Sequence, residues 1–273
     1  KGMRKIGEGD KSEVFVMPDG RILKLFFGHY AELAPIEADL STVLVQAGVD
    51  APRVDECIDV DGRPGIVFGN LREGITLSSD VRKRPWGLIS AARSLARIHA
   101  AVHERSSEEL PSQRERLVSE IESSDAISPE TRDLALQVLA DLPDGTTVCH
   151  NDIHMLNVIV DSNGTTLIDW VLATRGNPTA DLAGAILQLR FGEQPKGLLA
   201  KVAQEAGRAV FWRAYLRQYR SLRPVADDEL LRWQLPVAAA LAGRRAGRMR
   251  AQLQAHIAYL LEGKRRQILE VTR

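Results

Sequence analysis

The chain of 273 residues has only two cysteines, Cys57 and Cys149. Two thiols cannot build a disulfide framework, and the expectation is a protein that works reduced, in the cytoplasm. No apolar run approaches the ~18 residues a membrane-spanning helix needs, and no signal peptide is visible, so no membrane partner is expected. Net charge is also missing: 36 Lys and Arg balance 36 Asp and Glu. The balance is uneven along the chain, because from Lys201 onward 15 basic residues face 6 acidic ones. Those basic residues are spread among leucines and alanines at helical spacing with no nucleic-acid-binding signature, so no nucleic-acid partner is expected. There is no Gly-x-Ser-x-Gly elbow, which argues against a serine hydrolase. Internal repeats and low-complexity stretches are absent as well.

What is present concentrates between His150 and Asp169. His150-Asn151-Asp152-Ile153-His154-Met155-Leu156-Asn157 leads into a β-branched run, Val158-Ile159-Val160. Asn163-Gly164 follows, then Thr165 to Asp169, which is a short-range hairpin signal. With Asn163-Gly164 as the turn, Ser162 pairs with Thr165, Val158 falls opposite Asp169, and Asn157 lies one residue away from Asp169. An amide oxygen and a carboxylate at the mouth of a hairpin are hard ligands suited to Mg²⁺. Asp152, in the preceding loop, is left to face a substrate. A base and two metal ligands in this order suit phosphoryl transfer. His150 and His154 are spaced as on a zinc-protease helix, but Asn151 stands where the required glutamate would be.

The rest of the chain divides in two. Residues 1–70 read as β-rich with one helix: a strand over Lys11 to Met17, a turn at Asp19-Gly20, and a return strand over Ile22 to Phe27. A helix from Glu37 to Ala47 follows, then a strand pair around Asp61-Gly62 that ends at Phe68. Gly69 to Gly74 breaks the pattern and is the expected hinge. Residues 71–273 read as mainly helical, with helices over 89–102, 104–125, 129–142, 181–192, 196–221, 227–243 and 245–270. The fold class is α+β, a small β-rich lobe followed by a larger helical one.

Gly7-Glu8-Gly9-Asp10-Lys11-Ser12 precedes the first expected hairpin, and glycines there let backbone N–H groups approach phosphate. A strand follows, so this is neither a dinucleotide fingerprint nor a P-loop. Lys24 on the return strand can reach phosphates under that turn, and Glu37 can fix its direction.

In this order the motifs resemble those of the aminoglycoside phosphotransferase and choline kinase family, the small-molecule branch of the protein-kinase-like fold. The resemblance spans about residues 4 to 190. His150, Asp152, His154 and Asn157 match the family's catalytic loop, Ile168-Asp169-Trp170 its metal segment, and Gly176-Asn177-Pro178 with Asp181-Leu182-Ala183 its later elements. Leu95-Ala96-Arg97-Ile98-His99 is similar to the family's helix that ends in Leu-His.

The resemblance implies the following roles. Asp152 is catalytic and orients the acceptor hydroxyl. Asn157 and Asp169 hold Mg²⁺. Lys24, steadied by Glu37, neutralises the nucleotide phosphates, which backbone at Gly7, Gly9 and Ser12 covers. The Gly69 carbonyl and Leu71 amide read the adenine edge of ATP, with GTP as the alternative donor. His150 and Asp181 hold the loop. The acceptor is a small molecule with a hydroxyl group, and the protein is a monomer or homodimer.

Four departures stand out: Asn151 for a glycine, Met155-Leu156 for Pro-Gly, Val171 for an acidic residue, and Ser12 near the place of a third glycine. None removes a catalytic side chain. The alternative reading is a catalytically idle kinase-like protein that binds nucleotide or a protein partner. A protein kinase is disfavoured because no Ala-Pro-Glu element or long activation segment fits between Asp169 and Asp181. The tail offers chiefly Asp227, Asp228 and Glu229 amid many arginines, so a polycationic acceptor is not expected.

Overall fold

The computed structural model describes residues 2–162, 164–191 and 198–271. Its first part is an antiparallel five-stranded sheet in the order β1-β2-β3-β5-β4. The strands are β1 (Arg4–Glu8), β2 (Ser12–Val16), β3 (Ile22–Phe26), β4 (Val54–Val60) and β5 (Arg63–Phe68). The central strand β3 is buried on both faces, and its period of two sorts its side chains. Leu23 and Leu25 join Val67 on one face, while Ile22 and Phe26 join Ile66 and Phe68 on the other. Lys24 shares the second face, which is covered by helix α1 (Leu33–Gln46). That helix buries Ala34, Glu37, Leu40, Ser41 and Leu44, a stripe at helical spacing with a glutamate inside it.

Two differences from the sequence expectation have simple causes. Helix α1 begins at Leu33 rather than Glu37, because Pro35 falls in the first turn, where a missing N–H costs no intrahelical bond. β1 was not expected at all: it is an edge strand with four exposed positions out of five, and so carries no alternating apolar signal.

The remainder is mainly helical. After β6 (Ile75–Thr76) come α2 (Leu77–Lys83), α3 (Leu88–Val102), α4 (Gln113–Glu122) and α5 (Pro129–Ala140). Four short strands follow, β7 (Thr147–Cys149), β8 (Val158–Val160), β9 (Thr165–Leu167) and β10 (Thr174–Gly176). The chain then runs through α6 (Pro178–Arg190), α7 (Leu198–Leu222), α8 (Asp227–Arg244) and α9 (Gly247–Val271). The expected helix start at 196 and the expected helix end at 192 lie outside the described residues. The expected segment 104–125 is helical only over 113–122, with Ser112 capping it by accepting from the Glu115 N–H. Helix α6 is buried along almost its whole length against α7 and α8 and forms the axis of this lobe. None of the helices among the described residues is long and apolar enough to cross a membrane.

The short strands carry the motif segments at their ends. β7 pairs with β10, and β8 lies between β6 and β9. The β8–β9 register corrects the expected hairpin. Val160 pairs with Thr165 and Val158 with Leu167, so the loop is four residues long rather than two. Asp161 closes it: its N–H donates to the Gly164 carbonyl and its Oδ1 accepts from the Gly164 N–H. Val158 is therefore opposite Leu167, not Asp169. The shift is two residues, which keeps every side chain on its expected face. Asn157 now bonds across to Ile168, at 2.8 Å from the Ile168 N–H to the Asn157 carbonyl, and Asp169 is still the next residue on.

Candidate active site

Three elements bring the polar residues together. Lys24 projects from β3 toward α1, and its Nζ lies 2.6 and 2.9 Å from the two Glu37 carboxylate oxygens. The same Nζ lies 2.9 Å from Asp169 Oδ1, 145 residues on and in the helical lobe. This ammonium therefore joins the sheet, α1 and the segment after β9. Burial pulls the Lys24 pKa down, but the two carboxylates outweigh it and hold the group above its usual value, charged. Asp169 is lowered: burial acts against the shift and Lys24 overcomes it.

Asp169 is also one of three non-glycine residues with a left-handed backbone among the described residues, at φ 64°. That conformation costs an ordinary L-residue ~1–2 kcal/mol and turns the chain sharply out of β9. The second is Asn151, at φ 63°, next to the loop aspartate. Asparagine is among the few side chains that accept this geometry, which explains how it replaces the family glycine. Its amide is used as well. Nδ2 donates to the Cys149 and Leu172 carbonyls and to Thr174 Oγ1, and Oδ1 accepts from Gln113 Nε2 at 2.9 Å.

The loop between β7 and β8 is anchored by Asp181 of α6. Its carboxylate accepts the His150 N–H at 2.6 Å and the Asn151 N–H at 2.8 Å. His99 and His103, one turn apart at the end of α3, place their Nε2 atoms 3.2 Å from Asp181 Oδ2. Their Nδ1 atoms meet the hydroxyls of Tyr215 and Tyr219, again one turn apart, on α7. His150 is buried beside Trp170, with Nε2 on the Ile168 carbonyl and Nδ1 accepting the Asp152 N–H at 3.2 Å. Burial lowers its pKa, so a neutral imidazole braces the loop.

His103 is neutral for the same reason, with burial pushing its pKa to about 4. A histidine whose folded pKa lies below its unfolded value leaves the unfolded chain with more bound protons between those two values. Stability therefore falls as pH drops from about 6.5 to 4. Chemical denaturation across that window should lose about 3 kcal/mol from His103 alone. The His103→Gln variant should show a shallower slope. An unchanged slope would assign the acid sensitivity to other groups.

Asp152 is half-buried and heavily engaged. Its Oδ1 accepts from Arg245 Nη2 at 2.5 Å, and its Oδ2 lies 3.2 Å from Asn157 Nδ2 and 3.4 Å from His154 Nε2. Burial favours the neutral acid, but His154 and Arg245 reverse that and hold Asp152 well below the ordinary carboxylate range. It is an ionised acceptor at neutral pH. Asn157 also donates to the Asp152 carbonyl at 3.0 Å, so its amide nitrogen faces the loop and its oxygen is left for another donor or a cation. The oxygens of Asn157 and Asp169 are a hard donor set that fits Mg²⁺ rather than a softer metal.

The remaining expected residues lie in the sheet lobe. Gly7 and Ser12 flank the β1–β2 turn, where the Gly9 N–H bonds the Ser12 carbonyl at 2.9 Å. Val14 pairs with Lys24 across β2 and β3, so the turn and the ammonium are on neighbouring strands. Gly69 follows β5, and its N–H bonds the Arg53 carbonyl. A Cβ there would come within 2.2 Å of Asp55 Oδ1, so a larger residue would need the Asp55 side chain to swing away. The Leu71 side chain packs in the core under that face of the sheet. Arg245 and Gln188 were not foreseen. They come from the ends of α8 and α6, 93 and 36 residues beyond Asp152, and no local motif links them to it.

Comparison with known proteins agrees with this architecture. A family profile described as "Phosphotransferase enzyme family" matches residues 3–225. No curated protein matches the chain. Among solved structures, a type VIII aminoglycoside-3'-phosphotransferase superposes with TM-score 0.58 at 20% identity, covering 88% of this chain and 94% of that one. The aminoglycoside phosphotransferase APH(3'')-Id from Streptomyces rimosus gives 0.56 at 21% identity, covering 88% and 92%. A thermostable mutant of aminoglycoside phosphotransferase APH(4)-Ia, in complex with ADP and hygromycin B, gives 0.62 at 15% identity, covering 95% and 93%. The fold is the two-lobed, protein-kinase-like one, with an antiparallel sheet lobe and a mainly helical lobe.

Proposed function

The chain belongs to the phosphotransferase enzyme family, and on that premise we propose that it moves the γ-phosphoryl group of ATP to a hydroxyl of a small molecule. The observation that carries the reading is the connected set Glu37–Lys24–Asp169 and Asp152–Asn157, which joins both lobes at one place. The nucleotide would lie between residues 1–70 and 71–273, with its base against the Gly69 carbonyl and the Leu71 N–H. Backbone at Gly7, Gly9 and Ser12 would cover the phosphates and Lys24 would neutralise them, held in direction by Glu37. Asn157 and Asp169 would hold Mg²⁺, which when bound offsets charge on the phosphate oxygens.

Asp152 accepts a hydrogen bond from the acceptor hydroxyl and aligns it with the phosphorus. A strongly ionised carboxylate is a weak base, which suits a loose transition state in which the hydroxyl keeps its proton until late. Most of the rate then comes from positioning and charge neutralisation. GTP is the alternative donor and is read by the same hinge.

The test is transfer from labelled ATP with Mg²⁺ to a panel of sugars, amino alcohols, nucleosides, macrolides and aminoglycosides. Asp169→Ala should remove transfer, by about 10²-fold or more, while the melting curve stays cooperative. Full activity in that variant would put the site elsewhere. Nucleotide binding without transfer to any acceptor would favour an idle kinase-like protein.

A further inference from the structure

The basic tail is not evenly basic in space. Its three clustered carboxylates, Asp227, Asp228 and Glu229, form the first turn of α8. Asp227 pairs with Arg220, and Glu229 accepts from Thr179 Oγ1 at 2.6 Å. Asp152 is met by the other end of the same helix, about 25 Å away at 1.5 Å per residue. There the chain reads Arg244-Arg245-Ala246-Gly247-Arg248-Met249-Arg250. This cluster of tail carboxylates is therefore at the end of α8 away from Asp152.

Arg245 is also fixed in place. It caps α8 with extended backbone, and Arg250 donates to the Arg245 carbonyl at 2.8 Å and the Gly243 carbonyl at 3.4 Å, which locks the elbow between α8 and α9. Arg244 turns the other way, to Glu120 at 3.3 Å. The Arg245 side chain is 31% exposed. Its Nη2 is shared between Asp152 Oδ1 and Gln188 Oε1, while its buried Nε–H has no partner. A guanidinium has five donors, so this one keeps capacity for a further acceptor group. Arg190, at the end of α6 beside Gln188, is partly buried against Phe191 and Trp212 and makes no ion pair with a carboxylate among the described residues.

An acceptor hydroxyl must come within ~3 Å of Asp152 to be aligned. A substituent a few atoms from that hydroxyl is then within reach of Arg245, whose Nη2 lies 2.5 Å from Asp152 Oδ1. We propose that the acceptor carries an anionic oxygen group, a carboxylate or phosphate, which Arg245 binds while Asp152 holds the hydroxyl. Both Nη2 hydrogens are spent on Asp152 and Gln188, so the Nη1 N–H groups are the ones left to donate to such an oxygen, and the fixed cation disfavours an ammonium. The proposal rests on the phosphotransfer reading of the same site and names its substrate class.

The test uses the full chain, with and without Mg²⁺ and a non-hydrolysable ATP analogue. Three hydroxylated skeletons (a hexose, a pentitol and an aromatic alcohol) are each supplied as carboxylate, phosphate ester, neutral amide and amine, and binding is measured by calorimetry. The anionic members should bind about tenfold or more tighter than the amines. Arg245→Gln should erase that preference and Arg245→Lys should keep part of it, with melting curves that stay cooperative. The better of carboxylate and phosphate ester names the group. Equal binding across charge, no binding at all, or a preference that survives Arg245→Gln overturns the proposal. Charge preference lost in Arg245→Gln, in a protein that never consumes Mg·ATP, would leave the anion site standing and retire phosphotransfer.

Discussion

Asp152→Asn should lower phosphoryl transfer by about 10²- to 10⁴-fold, the range typical when a positioned proton acceptor is removed. The substitution keeps shape and removes charge. An asparagine in the same rotamer keeps one oxygen for Arg245, but its NH2 then faces the Asn157 amide and His154 and presents N–H where the acceptor hydroxyl must donate. Folding should respond only modestly, because Asp152 lies on a loop and touches no core cluster. The loss there is about 1–2 kcal/mol, from weakened contacts with His154 and Arg245. Steady-state kinetics and a melting curve on one preparation check both halves. A rate loss under tenfold would mean that another group aligns the hydroxyl. A collapse of the melting curve would give Asp152 a structural role instead. Asp152 is already ionised far below neutral pH, so raising the pH should not rescue the variant.

Asp181→Ala should produce a large loss of stability. The carboxylate is fully enclosed, and it accepts from two backbone N–H groups and meets two imidazoles. Alanine would leave all four without their partner in a dry interior. Each unsatisfied buried donor costs ~1–3 kcal/mol, and loss of a buried charged partner as a whole ~3–5 kcal/mol. We expect about 4 kcal/mol by denaturant unfolding, with activity lost in parallel. The two losses share a cause, since the same carboxylate sets the backbone of His150 and Asn151 from which Asp152 projects. Asp181→Asn should be intermediate: one oxygen still accepts, while an amide N–H faces a backbone N–H. A change under ~1 kcal/mol in Asp181→Ala would mean that the loop is held by Asn151 and its four side-chain bonds alone.

The two variants also separate what local sequence shows from what it hides. Asp152, Asn157 and Asp169 fall within eighteen residues, where spacing and turn chemistry still bear on geometry. Even there the Asn-Gly pair points to a two-residue turn, whereas Asp161 closes a four-residue loop. The difference is harmless only because a two-residue slip preserves facing. Lys24 and Glu37 were legible for a different reason. Period two on β3 and period 3.6 on α1 put both on the shared face of one small core. The edge strand β1 and the two-residue strand β6 stayed hidden, since neither buries enough apolar surface to leave a pattern.

By itself the sequence determined the two-lobed class, the order of the motifs, the hard-oxygen character of Asn157 and Asp169, and the charge asymmetry of the tail. These follow from local periodicity, composition and residue chemistry, which do not depend on distant contacts. Only the tertiary structure decided which basic residue meets Asp152, where the acidic turn of α8 ends up, and that His99, His103, Tyr215 and Tyr219 converge on Asp181. Those outcomes depend on how α3, α6, α7, α8 and α9 pack, over separations of up to 116 residues. Packing is a property of summed surfaces, and no short stretch of sequence carries it.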